Sequence, residues 1–167
     1  MKNLKMNVMK RVMACVLMLS VVVGAVVPAV AEAAEAKHIV LTLGNAIMQC
    51  DQQDVEIDGA VPVNNNGRVY IPLRAVAEAF GADVDYNDSN RDVTIKNGDI
   101  EIIMNTGASL YTVNGEIQTM DMAPYVNEGS RTMVPVRFVS DAFGYEIETT
   151  NNEQNIIDKV IISRDVA

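Results

Sequence analysis

The sequence predicts an α+β fold, an antiparallel sheet wrapped on short helices. It is built from two copies of one strand-turn-strand-helix-strand-turn-strand unit. Three observations carry this. Residues 68–81 (RVYIPLRAVAEAFG) and 131–144 (RTMVPVRFVSDAFG) match at seven of fourteen positions with a constant offset of 63. Such self-similarity is the mark of a repeated supersecondary unit. Asn-Gly pairs punctuate short apolar runs, which suits two-residue hairpins because both residues accept positive φ. Within each copy, apolar residues recur at helical spacing for two turns only.

The elements follow in order. Ile39 to Leu43 is a strand candidate. Asp58-Gly59 precedes the first repeat, where Pro62 leads into the turn Asn64-Asn65-Asn66-Gly67-Arg68. Pro72 and Pro135 suit the first helical turn, where a missing N–H costs nothing. Leu73, Val76, Ala77 and Phe80 form one stripe, and Val136, Val139, Ser140 and Phe143 repeat it. One face of each helix is therefore expected against sheet. Gly81 and Gly144 suit the left-handed position that ends a helix. Val93 to Lys96 and Ile100 to Met104 flank Asn97-Gly98; Leu110 to Val113 and Ile117 to Thr119 flank Asn114-Gly115. Pro124 leads into the second copy's turn, one residue longer, and Ile156 to Ser163 is the last strand. The copies are expected over about 39–98 and 100–165.

The first 36 residues read differently. Lys2, Lys5, Lys10 and Arg11 precede an uncharged apolar run from Val12 to Val27, and small residues follow from Ala31 to Ala36. That order is a secretory signal with A-x-A cleavage sites. The run is about 16 residues, short of the roughly 20 that span a membrane. Cys15 lies at the start of the apolar run, not at its end, so a lipoprotein reading is set aside. A signal peptide 1–36 leaves 37–167 as a single domain, expected to be secreted, extracellular or associated with the cell envelope. No C-terminal anchor follows Ile162, so retention at the surface is expected to need a partner. Processing leaves nine basic residues against twenty acidic ones, a net −11, where the full chain carries −9. Nucleic acid and anionic membrane are poor partners for such a chain. Cys50 is the one cysteine left, so the fold is expected to rest on its apolar core and not on a disulfide.

The run Asn-Gly-Arg, an apolar triplet, Pro-Leu-Arg, Val-Ala-Glu-Ala-Phe-Gly-Ala and a hairpin resembles the copper amine oxidase N-terminal-like domain. The matching stretches are Asn66 to Ile95 and Glu128 to Ile162, with Ile100 to Pro124 between them. The resemblance implies a small α+β stalk-like module of exported Gram-positive proteins, neither catalytic nor copper-binding. Tyr86 stands where the family usually has Trp, and Thr149-Thr150-Asn151-Asn152 makes an unusually polar turn.

The chemistry that the residues themselves allow is thin. Copper sites need several imidazoles, and the chain holds one His, His38, expected in a frayed terminus. No catalytic, cofactor-binding or metal residues are expected, and no cofactor. Asp83 to Asp92 opens like a calcium loop, yet Asp88 stands at the sixth position and Thr94 at the twelfth, where Gly and a bidentate Glu are needed. Alternation instead puts Asp83 and Asp85 outward and Val84 and Tyr86 inward, on a strand and polar turn. Tyr70, Tyr86, Tyr111, Tyr125 and Tyr145 are candidates for a sugar-stacking platform or for core packing. Arg68, Arg74, Arg131 and Arg137 are candidates for an anion site or for holding turns through carboxylates and carbonyls. The pairs Arg74/Glu78 and Arg137/Asp141 lie four apart on the helices. The expected role is that of a secreted, non-catalytic module for interaction with an unknown protein or cell-wall component. The alternative is a protein that binds a cell-wall glycan or small ligand.

Overall fold

The computed structural model describes residues 38–164. The signal peptide expected over 1–36 lies outside the described residues. Strands β1 (His38–Thr42), β2 (Ile47–Cys50), β3 (Gln53–Glu56), β4 (Val63–Asn65) and β5 (Arg68–Pro72) lead into helix α1 (Leu73–Ala79). Strands β6 (Asp83–Asn87), β7 (Asp92–Asn97), β8 (Ile100–Asn105), β9 (Leu110–Val113), β10 (Glu116–Thr119), β11 (Tyr125–Val126) and β12 (Thr132–Pro135) follow. Helix α2 (Val136–Phe143) and strands β13 (Glu146–Asn151) and β14 (Ile157–Ser163) complete the described chain.

The expected α+β class is overturned. Among the described residues, strands make up 51% and helix 12%, in three antiparallel sheets with two helices. The physical reason is length. A two-turn helix offers about 10 Å of apolar stripe, too little for a sheet to wrap around. The helices plug gaps between sheets, and the strands supply most of the core.

The sheets run β13-β14-β1-β2-β3, β10-β9-β8-β7-β6 and β11-β12-β5-β4. They are interleaved between the copies. Strands β1 to β3 of the first copy join β13 and β14 of the second, while β8 to β10 join β6 and β7. The 63-residue offset extends through these strands. Ile39 and Leu41 are buried like Ile102 and Met104. Gly44 N–H donates to Pro62 O and Gly107 N–H to Pro124 O, each at 2.8 Å. Each copy thus holds seven strands, three more than the expected strand-turn-strand-helix-strand-turn-strand unit.

The four-stranded sheet holds the pseudo-two-fold axis. Strands β5 and β12 pair antiparallel, with Ile71 opposite Val134, Pro72 opposite Met133 and Tyr70 opposite Pro135. Ile71 and Val134 are equivalent positions, so the axis passes between them. Each proline closes a strand with extended ψ (109° and 136°) and stands one position before the helix rather than within its first turn. Gly81 and Gly144 take positive φ as expected (81° and 72°), which a Cβ would oppose.

The turns are a mixed result. Asn114-Gly115 joins β9 to β10 with φ of 49° and 84°, the pattern of a type I′ turn. The β7–β8 loop is Gly98-Asp99, one residue past the expected Asn-Gly, because Asn97 pairs with Ile100. A further hairpin, β2–β3, turns at Asp51-Gln52 with φ of 47° and 72°.

Candidate functional site

The arginines come together in pairs with carboxylates across the pseudo-two-fold axis. Arg68 Nε lies 2.7 Å from Asp121 Oδ2, and Arg131 Nη2 lies 2.9 Å from Asp58 Oδ2. Arg68 and Arg131 are equivalent, as are Asp58 and Asp121, so each copy grips the other in the same way. The second grip is the more elaborate. Arg131 Nε also donates to Asp58 O at 2.9 Å, and Asn127 Nδ2 donates to Gly59 O at 3.1 Å. Gly59 and Gly129 touch backbone to backbone; a Cβ on Gly129 would land on the Gly59 carbonyl. Arg74 instead reaches Glu78 along its own helix at 3.9 Å, and Arg137 is exposed on α2. The four arginines therefore do not converge on one anion site.

Burial in the α1 surface raises the Glu78 carboxyl above its ordinary value; Arg74 pulls it down and Asp83 pushes it further up. Burial likewise raises the phenols of Tyr70, Tyr111 and Tyr125. Tyr70, Tyr111 and Tyr145 are buried, and Tyr86 and Tyr125 pack half-buried against the same core. Tyr70 stands edge-on to Tyr125, with ring centroids 5.1 Å apart, and its hydroxyl donates to Ala123 O at 3.3 Å. Phe80 lies 4.3 Å from Tyr145, and Phe143 stacks on the same ring at 5.6 Å. Between the helices a cavity of about 10 Å³, lined by these rings and Val76, is roughly one water in size.

The remaining candidates scatter. Asp83 and Asp85 point outward from β6, as alternation predicts, with Val84 and Tyr86 inward. The loop beyond β6 is held by its own amides: Asn90 Nδ2 donates to Asp92 Oδ2 and Asn105 Nδ2 to Asp92 Oδ1, at 2.6 and 2.8 Å. Cys50 is buried on β2. His38 corrects the expectation of a frayed terminus: it pairs with Ser163 in the β1–β14 ladder, and its N–H donates to Asp51 Oδ1 at 3.0 Å. Its imidazole stands apart from any metal-binding cluster. Among the described residues no three His, Cys, Asp or Glu side chains come together. None of their helices is long and apolar enough to cross a membrane.

One surface feature escaped the sequence reading. Ile103, Leu110 and Ile117 are 40%, 58% and 72% exposed. Ile103 faces Thr112, and Thr112 faces Ile117, so these three form a row across the outer face of their sheet, with Leu110 two positions from Thr112 on the same face. The signal lay in the outward positions of β8 to β10, where Ile103, Leu110 and Ile117 interrupt otherwise polar sets.

The fold and these contacts define a β-rich module with internal pseudo-two-fold symmetry. It belongs to the copper amine oxidase N-terminal domain family, whose pattern covers residues 49–158. That domain is a non-catalytic module. The residues here do not fit the copper in the family's name, since the whole chain has a single His. The chain is also similar to a protein named "Protease inhibitor" from Brevibacillus choshinensis, 29% identical over 91 residues. That match covers 54% of this chain and 28% of the relative, so this chain spans a little over a quarter of that protein.

Proposed function

We propose that this is a secreted, non-catalytic module that binds another protein in the cell envelope or outside it. The supporting observation is that the side chains best suited to catalysis or sugar stacking are already engaged in holding the fold. The tyrosines are in or against the core, and Arg68 and Arg131 clamp the two copies together. What the molecule offers a partner is surface. A relative named as a protease inhibitor supports a protein partner over a glycan. The test is capture on immobilised protein, with purified wall polysaccharide and the secreted and wall-associated proteins offered separately. Retention of a protein at defined stoichiometry, with polysaccharide passing through, is expected. Retention of polysaccharide alone overturns the reading in favour of glycan binding.

A further inference from the structure

The two five-stranded sheets have edges β13 and β3, and β10 and β6; of these, β3 and β10 are equivalent strands under the 63-residue offset. Their free backbone groups can be located. In β10, Glu116 lies opposite Val113 across a two-residue loop, so these two exchange backbone hydrogen bonds. Gln118 follows on the same side, and Met120 N–H then donates to Ser109 O at 2.8 Å. The N–H and C=O of Ile117 and Thr119 therefore point away from β9, along the open edge. In β3 the same positions are Asp54 and Glu56, and Ile57 N–H donates inward to Ala46 O at 2.6 Å. Carboxylates at the outward positions are how a soluble sheet guards its edge against another strand. At β10 the guards are replaced by Ile and Thr, two strong strand formers, and all four residues of the strand are exposed.

The geometry points to β10 as a pairing edge for β10 of a second copy of this chain. An antiparallel pair centred on Ile117 sets each Ile117 opposite its counterpart, where their outward N–H and C=O groups exchange hydrogen bonds, and brings Thr119 opposite Gly115 at the start of the other hairpin. The row Ile103, Thr112, Ile117 then continues unbroken across the junction into the second copy. Charge agrees with this register. Glu116, the one carboxylate on the strand, falls opposite Gln118 of the other copy and not opposite itself. The arrangement is isologous and closes at two, and the opposite edge of that sheet, β6, carries Asp83 and Asp85, which disfavours open-ended growth. It concerns a different surface property from the proposed function and stands whether or not the external partner is a protein.

Sedimentation equilibrium of the protein purified from the cells that produce it tests the idea. A monomer–dimer equilibrium is expected. It should strengthen with added salt, because copies that share a net negative charge repel and salt screens that repulsion. Ile117→Asp reproduces the Asp54 arrangement and should fold with an unchanged thermal midpoint at low concentration. It should weaken the dimer about tenfold or more. Should that variant fail to fold, Ile117→Cys serves instead. Opposed Cα atoms about 5.5 Å apart lie within disulfide reach, so oxidation should link two chains through that position, and Leu110→Cys should not. A chain that stays monomeric at millimolar concentration overturns the proposal and leaves the open edge to a strand from another protein. A dimer that Ile117→Asp leaves intact, or no linkage through Ile117→Cys, also overturns it.

Discussion

Helix α1 buries Leu73, Val76, Ala77 and Phe80, the whole stripe that its spacing marks out. Helix α2 has the same spacing but buries Val136, Phe138, Val139 and Ala142, leaving Phe143 half-buried. The difference goes with two substitutions, one of them Tyr145 where the first copy has Ala82. Ala75 of the first copy is Phe138 in the second, and this ring inserts edge-on against Tyr111 at 5.1 Å. With Phe138 turned inward, the buried face of α2 shifts, and Phe143 moves to the rim to stack on Tyr145. Equivalent backbones thus carry non-equivalent cores.

The largest expected effect tests that asymmetry. Phe80 is fully buried, so Phe80→Ala should cost about 3–5 kcal/mol, the usual range for a core Phe. Phe138→Ala should fall in the same range. Phe143→Ala should cost about half as much, since part of its surface is already in water. Equal losses at Phe80 and Phe143 in urea denaturation would show the two helices to be energetically equivalent. All three variants should shift one cooperative transition, because β1 to β3 complete the sheet of the other copy. Two transitions would mean that the interleaved sheets melt separately.

Next in size is the close approach on the pseudo-two-fold axis. Gly129→Ala drives a methyl into the Gly59 backbone, and relieving such overlap costs about 1–3 kcal/mol. Gly67→Ala, at the first copy's turn, meets nothing within 4 Å. Its cost comes only from the left-handed φ of 81°, about 1 kcal/mol. Thermal melts of the two variants should rank in that order, and the reverse order would locate the strain in the wrong loop.

The two Arg–Asp grips should differ less. Exposed ion pairs are worth roughly 0–1 kcal/mol, and Asp58 is largely in water. Arg131 also holds a backbone carbonyl of the opposite copy, at Asp58. Arg131→Ala should therefore destabilise by about 1 kcal/mol, and Arg68→Ala by less. Moderate salt should narrow the gap little, because the extra bond is to a carbonyl. A gap that vanishes in salt would assign the whole difference to charge.

Which of these features were legible in the sequence follows from how local they are. The α1 stripe, the αL glycines and the Asn114-Gly115 turn are set by neighbours a few residues apart. The β2–β3 hairpin was invisible because Asp51 and Gln52 adopt positive φ with no glycine to announce it. The interleaving was hidden for a different reason. Ile39 opposite Ile162 and Leu41 opposite Val160 join the two ends of the described chain, and no local pattern encodes that pairing. The crossed grips had a signal. Asp58 and Asp121 keep the same offset as Arg68 and Arg131, so extending the repeat upstream of its identical core would have paired them. The exposed Ile117 had one too, once aligned with Asp54.

The smallest effect concerns Glu78, which sits on α1 where the second copy has the exposed Asp141. Burial raises the Glu78 carboxyl above 4.5 in the fold. The folded state then holds its proton to higher pH than the unfolded chain does. Stability contributed by the protonated form is present below the unfolded value and is lost as pH rises through the folded one. Glu78→Gln removes this penalty, so the variant should match or slightly exceed the parent at pH 7, and the gain should fade as pH falls through the raised folded value towards 4.5. A loss of stability at pH 7 in Glu78→Gln would mean that the 3.9 Å contact with Arg74 outweighs the desolvation of the carboxylate.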